Sequence, residues 1–173
     1  YKFKSEYDGD GNRTLYAKYN WDSENDEWIG DYKREYDYDG DENRTLLIFY
    51  KWDSTIEVWE KSYKIESDYD SDGNRTLYVR YNWDSNNEVW EKDSKYESKY
   101  NGDGDKTLEV TYEWDSYNEM WEKSYKREYD YDSDGNRTLE VSYNWDSTNE
   151  MWEKENKWEY EYDGDGNPTY VSY

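Results

Sequence analysis

From Thr14 to Trp21 apolar and polar residues alternate, with Leu15, Ala17, Tyr19 and Trp21 on one side and Tyr16, Lys18 and Asn20 on the other. Period two predicts a strand. Leu77, Val79, Tyr81, Trp83 and Leu139, Val141, Tyr143, Trp145 repeat the pattern with a more apolar face. The segment after the next tryptophan alternates as well. It places Trp121, Lys123, Tyr125, Arg127, Tyr129 and Tyr131 on one side and Glu122, Ser124, Lys126, Glu128 and Asp130 on the other. The expectation is two strands per unit, with one aromatic face and one charged face, as in an antiparallel sheet wetted on one side.

The word unit is apt because the pattern recurs without insertion or deletion. Tryptophan stands at 21, 52, 83, 114 and 145 and again at 28, 59, 90, 121 and 152, a constant step of 31 residues. Residues 1–173 are therefore one array of about 5.6 units. Strict phase means that each unit meets its neighbours in the same way, since one inserted residue would throw later contacts out of register. A single unit buries too little apolar surface to offset the ordering of its own backbone, so neighbours must complete it.

Two turn signals alternate along the array. Trp-Asp-Ser-x-Asn-Glu-x-Trp, as at Trp83 to Trp90, leaves six residues between tryptophans, which suits a four-residue loop closed by one further pair. This predicts five structural cross-strand pairs: Trp21 with Trp28, Trp52 with Trp59, Trp83 with Trp90, Trp114 with Trp121, and Trp145 with Trp152. Units are joined by Tyr-Asp-x-Asp-Gly-Asn-Arg-Thr, seen at Tyr69 to Thr76 and Tyr131 to Thr138. Gly takes positive φ without penalty and Asn tolerates it, so the join is a second hairpin. The fold class expected is all-β: a continuous antiparallel meander of about eleven strands, coiled or stacked like a spiral or solenoid. Tyr1 and Tyr173 both fall within strand-like segments in mid-unit, which predicts open edges and a longer filament or multi-repeat surface protein.

Composition narrows the function classes. Hydrophobic residues are only 32%, but 11 Trp and 24 Tyr concentrate the apolar surface, so a thin core is available. The net charge of −23 opposes nucleic acid, and no apolar run is long enough for a membrane span. The absence of Cys and His removes thiolate and imidazole chemistry, so a metal would have to be a hard cation held by oxygen.

The segment Tyr7-Asp8-Gly9-Asp10-Gly11-Asn12-Arg13-Thr14 resembles the YD motif of the RHS/YD-repeat family, with further matches at Tyr69-Asp70, Tyr131-Asp132 and Tyr162-Asp163, where Pro168 replaces Arg. The resemblance implies β-hairpins wound into a spiral sheet on a secreted or cell-surface protein. The chain is also similar to the Trp- and Tyr-rich tandem repeats of secreted Bacteroidota proteins.

Three sets of residues are candidates for chemistry. Asp8, Asp10 and Asn12 place oxygen side chains at alternate positions around a glycine, like the first half of a calcium loop, though without a closing bidentate Glu. Asp70, Asp72 and Asn74, then Asp132, Asp134 and Asn136, then Asp163, Asp165 and Asn167 do the same. Calcium is the one cofactor candidate, against plain turn chemistry. Asn12, Asn43, Asn74 and Asn136 head N-x-T sequons, while Ser54 and Ser147 lie in a short Asp-Ser-Thr O-glycosylation pattern. Carboxylate pairs recur in every unit, whereas a catalytic site is normally single, so no enzyme is expected. The reading is an extracellular structural protein that partners mainly itself as a spacer, fibre or surface layer. Its rival is a glycan-binding module whose exposed Trp and Tyr stack on sugar rings.

Overall fold

The computed structural model describes residues 1–172, leaving Tyr173 and the edge expected there outside the described residues. Twelve strands follow one another: β1 (Lys2–Tyr7), β2 (Arg13–Asp22), β3 (Glu27–Tyr38), β4 (Arg44–Asp53), β5 (Val58–Tyr69), β6 (Arg75–Asp84), β7 (Val89–Tyr100), β8 (Lys106–Asp115), β9 (Met120–Tyr131), β10 (Arg137–Asp146), β11 (Met151–Tyr162) and β12 (Pro168–Ser172). Sheet order equals chain order, so the all-β antiparallel meander of hairpins is the fold, as an open sheet. The count is twelve rather than eleven because β1 and β12, from incomplete units, each form a strand of their own.

The joining turns show why the chain reverses where it does. Asp8 N–H donates to the Asn12 carbonyl at 3.0 Å, Gly11 N–H donates to the Asp8 carbonyl, and Gly11 has φ +92°. The left-handed position thus falls on glycine here and at Gly73, Gly104, Gly135 and Gly166, but on Glu42 (φ 65°) in the second turn. A Cβ in this region costs about 1 kcal/mol or more. Glu42→Gly is therefore expected to raise stability by about 1 kcal/mol in urea denaturation. An unchanged or lowered midpoint would mean that the Glu42 side chain makes contacts outweighing the strain.

The expectation of one aromatic and one charged face fails in the second strand of each unit, because a β-bulge interrupts it. Thr111 pairs with Tyr125 and Tyr112 with Lys123, which leaves Ser124 outside the register. Asp31, Ser62 and Glu155 are passed over in the same way. One extra residue moves everything beyond it to the other face. Lys126, Glu128 and Asp130 consequently join Val110, Leu108 and Leu139 on the tryptophan face, while Tyr125, Arg127 and Tyr129 lie opposite Thr111, Glu109 and Glu140 on the reverse face.

Contacts divide the chain into two compact units: Tyr1–Asp68 with Tyr78–Asp93, and Tyr69–Leu77 with the residues from Ser94 onward. In the first, Ala17 and Val79 are buried on the tryptophan face and Tyr36 and Leu47 on the reverse face. Its reverse face also carries a row of rings, Phe3, Tyr16, Tyr32, Phe49 and Tyr63, with successive centroids 5.8, 5.8, 5.8 and 4.9 Å apart. In the second, Val141 is buried on the tryptophan face and Ser142 directly behind it. The core is thin, and it lies on both sides of the sheet.

Candidate functional site

The tryptophan hairpins are built alike. Trp21 and Trp28 are register partners, and their rings meet edge to face at 5.1 Å and 65°. Trp52 and Trp59 pair in register at 5.0 Å, and Trp145 and Trp152 do so at 4.9 Å. Trp83 meets Trp90 at 4.8 Å and Trp114 meets Trp121 at 5.2 Å. Perpendicular packing sets the positive ring edge against the negative face. The second member of a pair has further neighbours that alternation along one strand does not register. Trp59 also turns its edge to Tyr19, centroids 5.9 Å apart, and Trp152 takes the Lys126 ammonium at 5.5 Å.

The loop between the tryptophans is held by its first Asp: Asp84 Oδ1 accepts from the Asn86 N–H at 2.8 Å and Asp84 Oδ2 from Asn87 Nδ2 at 2.6 Å. Burial separates the copies. Trp21 and Trp28 are exposed at 47% and 41%, which departs from the expected packing. Trp52, Trp59, Trp83, Trp90, Trp114, Trp121, Trp145 and Trp152 are half-buried. Among the described residues, a row of solvent-facing indoles is therefore absent beyond the first hairpin.

Next to these pairs runs a clamp that only the bulge makes possible. Lys33 pairs with Glu35 at 2.7 Å, the Tyr50 hydroxyl donates to Glu35 at 2.6 Å, and the Lys33 ammonium sits 3.9 Å from the Tyr50 ring centroid. The same three groups recur one unit later: Lys64 pairs with Glu66 at 2.5 Å and lies 4.3 Å over Tyr81, whose hydroxyl donates to Glu66 at 2.9 Å. In the second compact unit Lys95, Glu97 and Tyr112 repeat it, as do Lys126, Glu128 and Tyr143, with tyrosine-to-carboxylate distances of 2.8 Å in both. Each clamp ties the second strand of one repeat to the first strand of the next, joining a charge-assisted hydrogen bond to a cation–π contact.

Burial, and then the hydrogen bond and charge of the partner glutamate, pushes Tyr81, Tyr112 and Tyr143 up to about 12, and Tyr50 higher still. Burial works to raise Glu35, Glu97 and Glu128, but donation from the lysine and the tyrosine outweighs it and holds all three below the ordinary carboxylate value. Sequence alternation missed the clamp because it placed Lys126 and Glu128 on the wrong face. The available signal was length: second strands such as β9 run to 12 residues against 10 for first strands such as β8.

In the YD-like turns the first Asp has its carboxylate engaged. Asp8 Oδ1 accepts from the backbone N–H of Asp10 and Asn12 at 3.0 and 2.8 Å, and Asp8 Oδ2 accepts from Asn12 Nδ2. Asp70 binds Asp72 and Asn74 likewise, Asp132 binds Asp134 and Asn136, and Asp163 binds Asp165 and Asn167. In the fourth turn the pair is inverted: Asn101 accepts the backbone donors and its Nδ2 donates to Asp105 at 3.2 Å. The first Asp of each turn thus faces N–H donors, and no group of three or more acidic side chains among the described residues is placed to hold a metal. Asn12, Asn43, Asn74 and Asn136 spend Nδ2, the sequon nitrogen, on Asp8, Asp39, Asp70 and Asp132. Ser54 and Ser147 are exposed in hairpin loops. In four turns the opening tyrosine is also used: Tyr38, Tyr100, Tyr131 and Tyr162 donate to the carbonyls of Arg13, Arg75, Lys106 and Arg137, 25 residues earlier, at 3.1, 3.0, 2.9 and 2.9 Å.

No protein-family model matches the sequence, and no curated protein matches it. Among solved structures the chain is similar to a protein of unknown function from Bacteroides fragilis, at 17% identity and a TM-score of 0.60, over 73% of this chain and 89% of that one. DUF3836-family proteins from Bacteroides vulgatus and Parabacteroides distasonis match at 15% and 19% identity, with TM-scores of 0.47 and 0.44. Each match covers 54% of this chain, and 91% and 87% of the respective relative. The first likeness is one of fold.

Proposed function

We propose that this chain is a non-enzymatic structural array of the cell exterior, a spacer or surface-layer segment whose length is set by the number of hairpins and whose main partner is further copies of itself. The observation that carries this is the repeated clamp. The same lysine, glutamate and tyrosine are consumed at junction after junction in holding one repeat to the next, as a device for building length requires. The YD-like turns support an extracellular setting by resemblance to RHS/YD repeats, and their first Asp spends its carboxylate on N–H donors of the turn. The glycan-binding rival rests on the exposed pair Trp21 and Trp28 and on separate exposed tyrosines such as Tyr117.

The test is insertion. Duplicating residues 94–124 adds one unit in phase and is expected to give a folded protein, longer by two strand spacings, roughly 9.6 Å, in small-angle scattering. Duplicating one residue fewer should disrupt the sheet from that point onward. If both insertions unfold the protein, or if a single hairpin proves to bind a sugar while the remainder can be deleted, the scaffold reading fails.

A further inference from the structure

The first two tryptophan hairpins, both within the first compact unit, enclose a cleft next to the position where later copies carry a lysine. The pairing of β3 with β4 runs only as far as Tyr32 and Lys51, so the hairpin tips beyond it separate. Between them lies a space of about 430 Å³ lined by Trp28, Trp52, Ile29, Asp22, Glu27 and Glu57, with Asn25 and Ser54 beside them. It offers two indoles and three carboxylates.

Later copies show which side chain this repeat sets on its tryptophans. Step 31 puts Lys61, Lys92, Lys123 and Lys154 at one position, and Gly30 occupies it in the first copy. Two of these lysines lie over the next tryptophan: the Lys61 ammonium is 4.1 Å from the Trp83 centroid and 5.8 Å from Trp90, and that of Lys123 is 4.3 Å from Trp145. Glycine supplies no such group. Trp52 instead packs directly on the Gly30 backbone, with ring carbons 2.7–2.8 Å from where a Cβ would stand. A neighbouring substitution pushes the charge the same way. Glu27 stands where later copies have Val58, Val89, Met120 and Met151, so an acid is gained just where a base is lost. Trp28, at 41% exposure, remains open to solvent.

We infer that this cleft is a binding site for a primary alkylammonium group, specifically a lysine side chain presented by another polypeptide. It would set on these indoles the kind of group that Lys61 sets on Trp83. The indoles would take the ammonium by cation–π attraction, and Asp22, Glu27 and Glu57 would give it counter-charge in a partly desolvated space.

The test follows the indole N–H resonances of the whole chain during titration with Nα-acetyl-lysine N-methylamide, with the norleucine analogue, cadaverine and methyl glucoside in parallel. The lysine probe should shift Trp28 and Trp52 and leave Trp83 and Trp145 in place. Gly30→Lys introduces the residue of the other copies, whose Cβ would stand 2.7–2.8 Å from Trp52 ring carbons and displace that ring, and should weaken binding by about tenfold or more. Glu27→Val, an apolar choice the repeat already accepts, should also weaken it and guards against misfolding of the first variant. Uniform shifts at all tryptophans, an equal response to norleucine, selective binding of cadaverine or the glucoside, or undiminished binding in Gly30→Lys would overturn the assignment.

Discussion

Truncating Trp83 to alanine is expected to destabilise the protein by about 3 kcal/mol, the lower end for loss of a packed aromatic because the ring is half-buried. The change removes the edge-to-face partner of Trp90 at 4.8 Å and strips Lys61 of the ring it covers at 4.1 Å. Trp21→Ala provides the internal comparison: its ring is already 47% exposed and its loss should cost clearly less. Because each strand is hydrogen-bonded to its neighbours in the strand order, hydrogen exchange should accelerate around β6 and β7 and change little in β1 and β11. Equal loss of protection in all twelve strands would show one cooperative fold instead of a chain of coupled units.

Alkali should unfold the protein through the clamps. Tyr81, Tyr112 and Tyr143 titrate at about 12 in the folded protein against an ordinary value of 10.0. An upward shift means that the folded state keeps protons the unfolded state has already released. Stability from these hydroxyls is therefore complete below pH 10.0 and falls as pH rises through about 12. Unfolding should set in within that window, with a tyrosinate absorbance step from the clamp rings that coincides with loss of the sheet. The triple variant Tyr81→Phe, Tyr112→Phe, Tyr143→Phe should be weaker at neutral pH and lose most of that step. Ionisation of every tyrosine in one step near pH 10.0, with the sheet intact, would sink the clamp as a stabilising device. On the acid side the sign reverses. Glu35, Glu97 and Glu128 are held below 4.5, so their contribution is present above that value and is lost as pH falls beneath it.

The strands, their order and their turns are legible in the chain, because they depend on local properties that a linear pattern records. Alternation from Leu15 to Trp21 is one strand, Gly11 supplies the positive φ of its entry turn, and six residues between Trp21 and Trp28 leave room for one loop geometry. Strict phase then required every later unit to repeat the first, down to the pairing of Trp145 with Trp152. Which side chains share a face, by contrast, emerges only when strands pair. Alternation counts residues along one strand, whereas a face is set between two, and the bulged Ser124 breaks the equivalence without any mark in the hydrophobic pattern. That single offset carries Lys126 and Glu128 to the side of Tyr143 and makes the clamp. It also moves Tyr125 and Arg127 away from the tryptophans, so neither face is purely aromatic or purely charged. How deeply each indole sits was equally out of reach, since one motif yields an exposed Trp28 in the first hairpin and a half-buried Trp59 in the second. The cleft at Gly30 was beyond the sequence for the same reason. The missing lysine is visible at that position, but only the structure shows that Trp52 packs against Gly30 and that a cleft opens where β3 and β4 part past Tyr32 and Lys51.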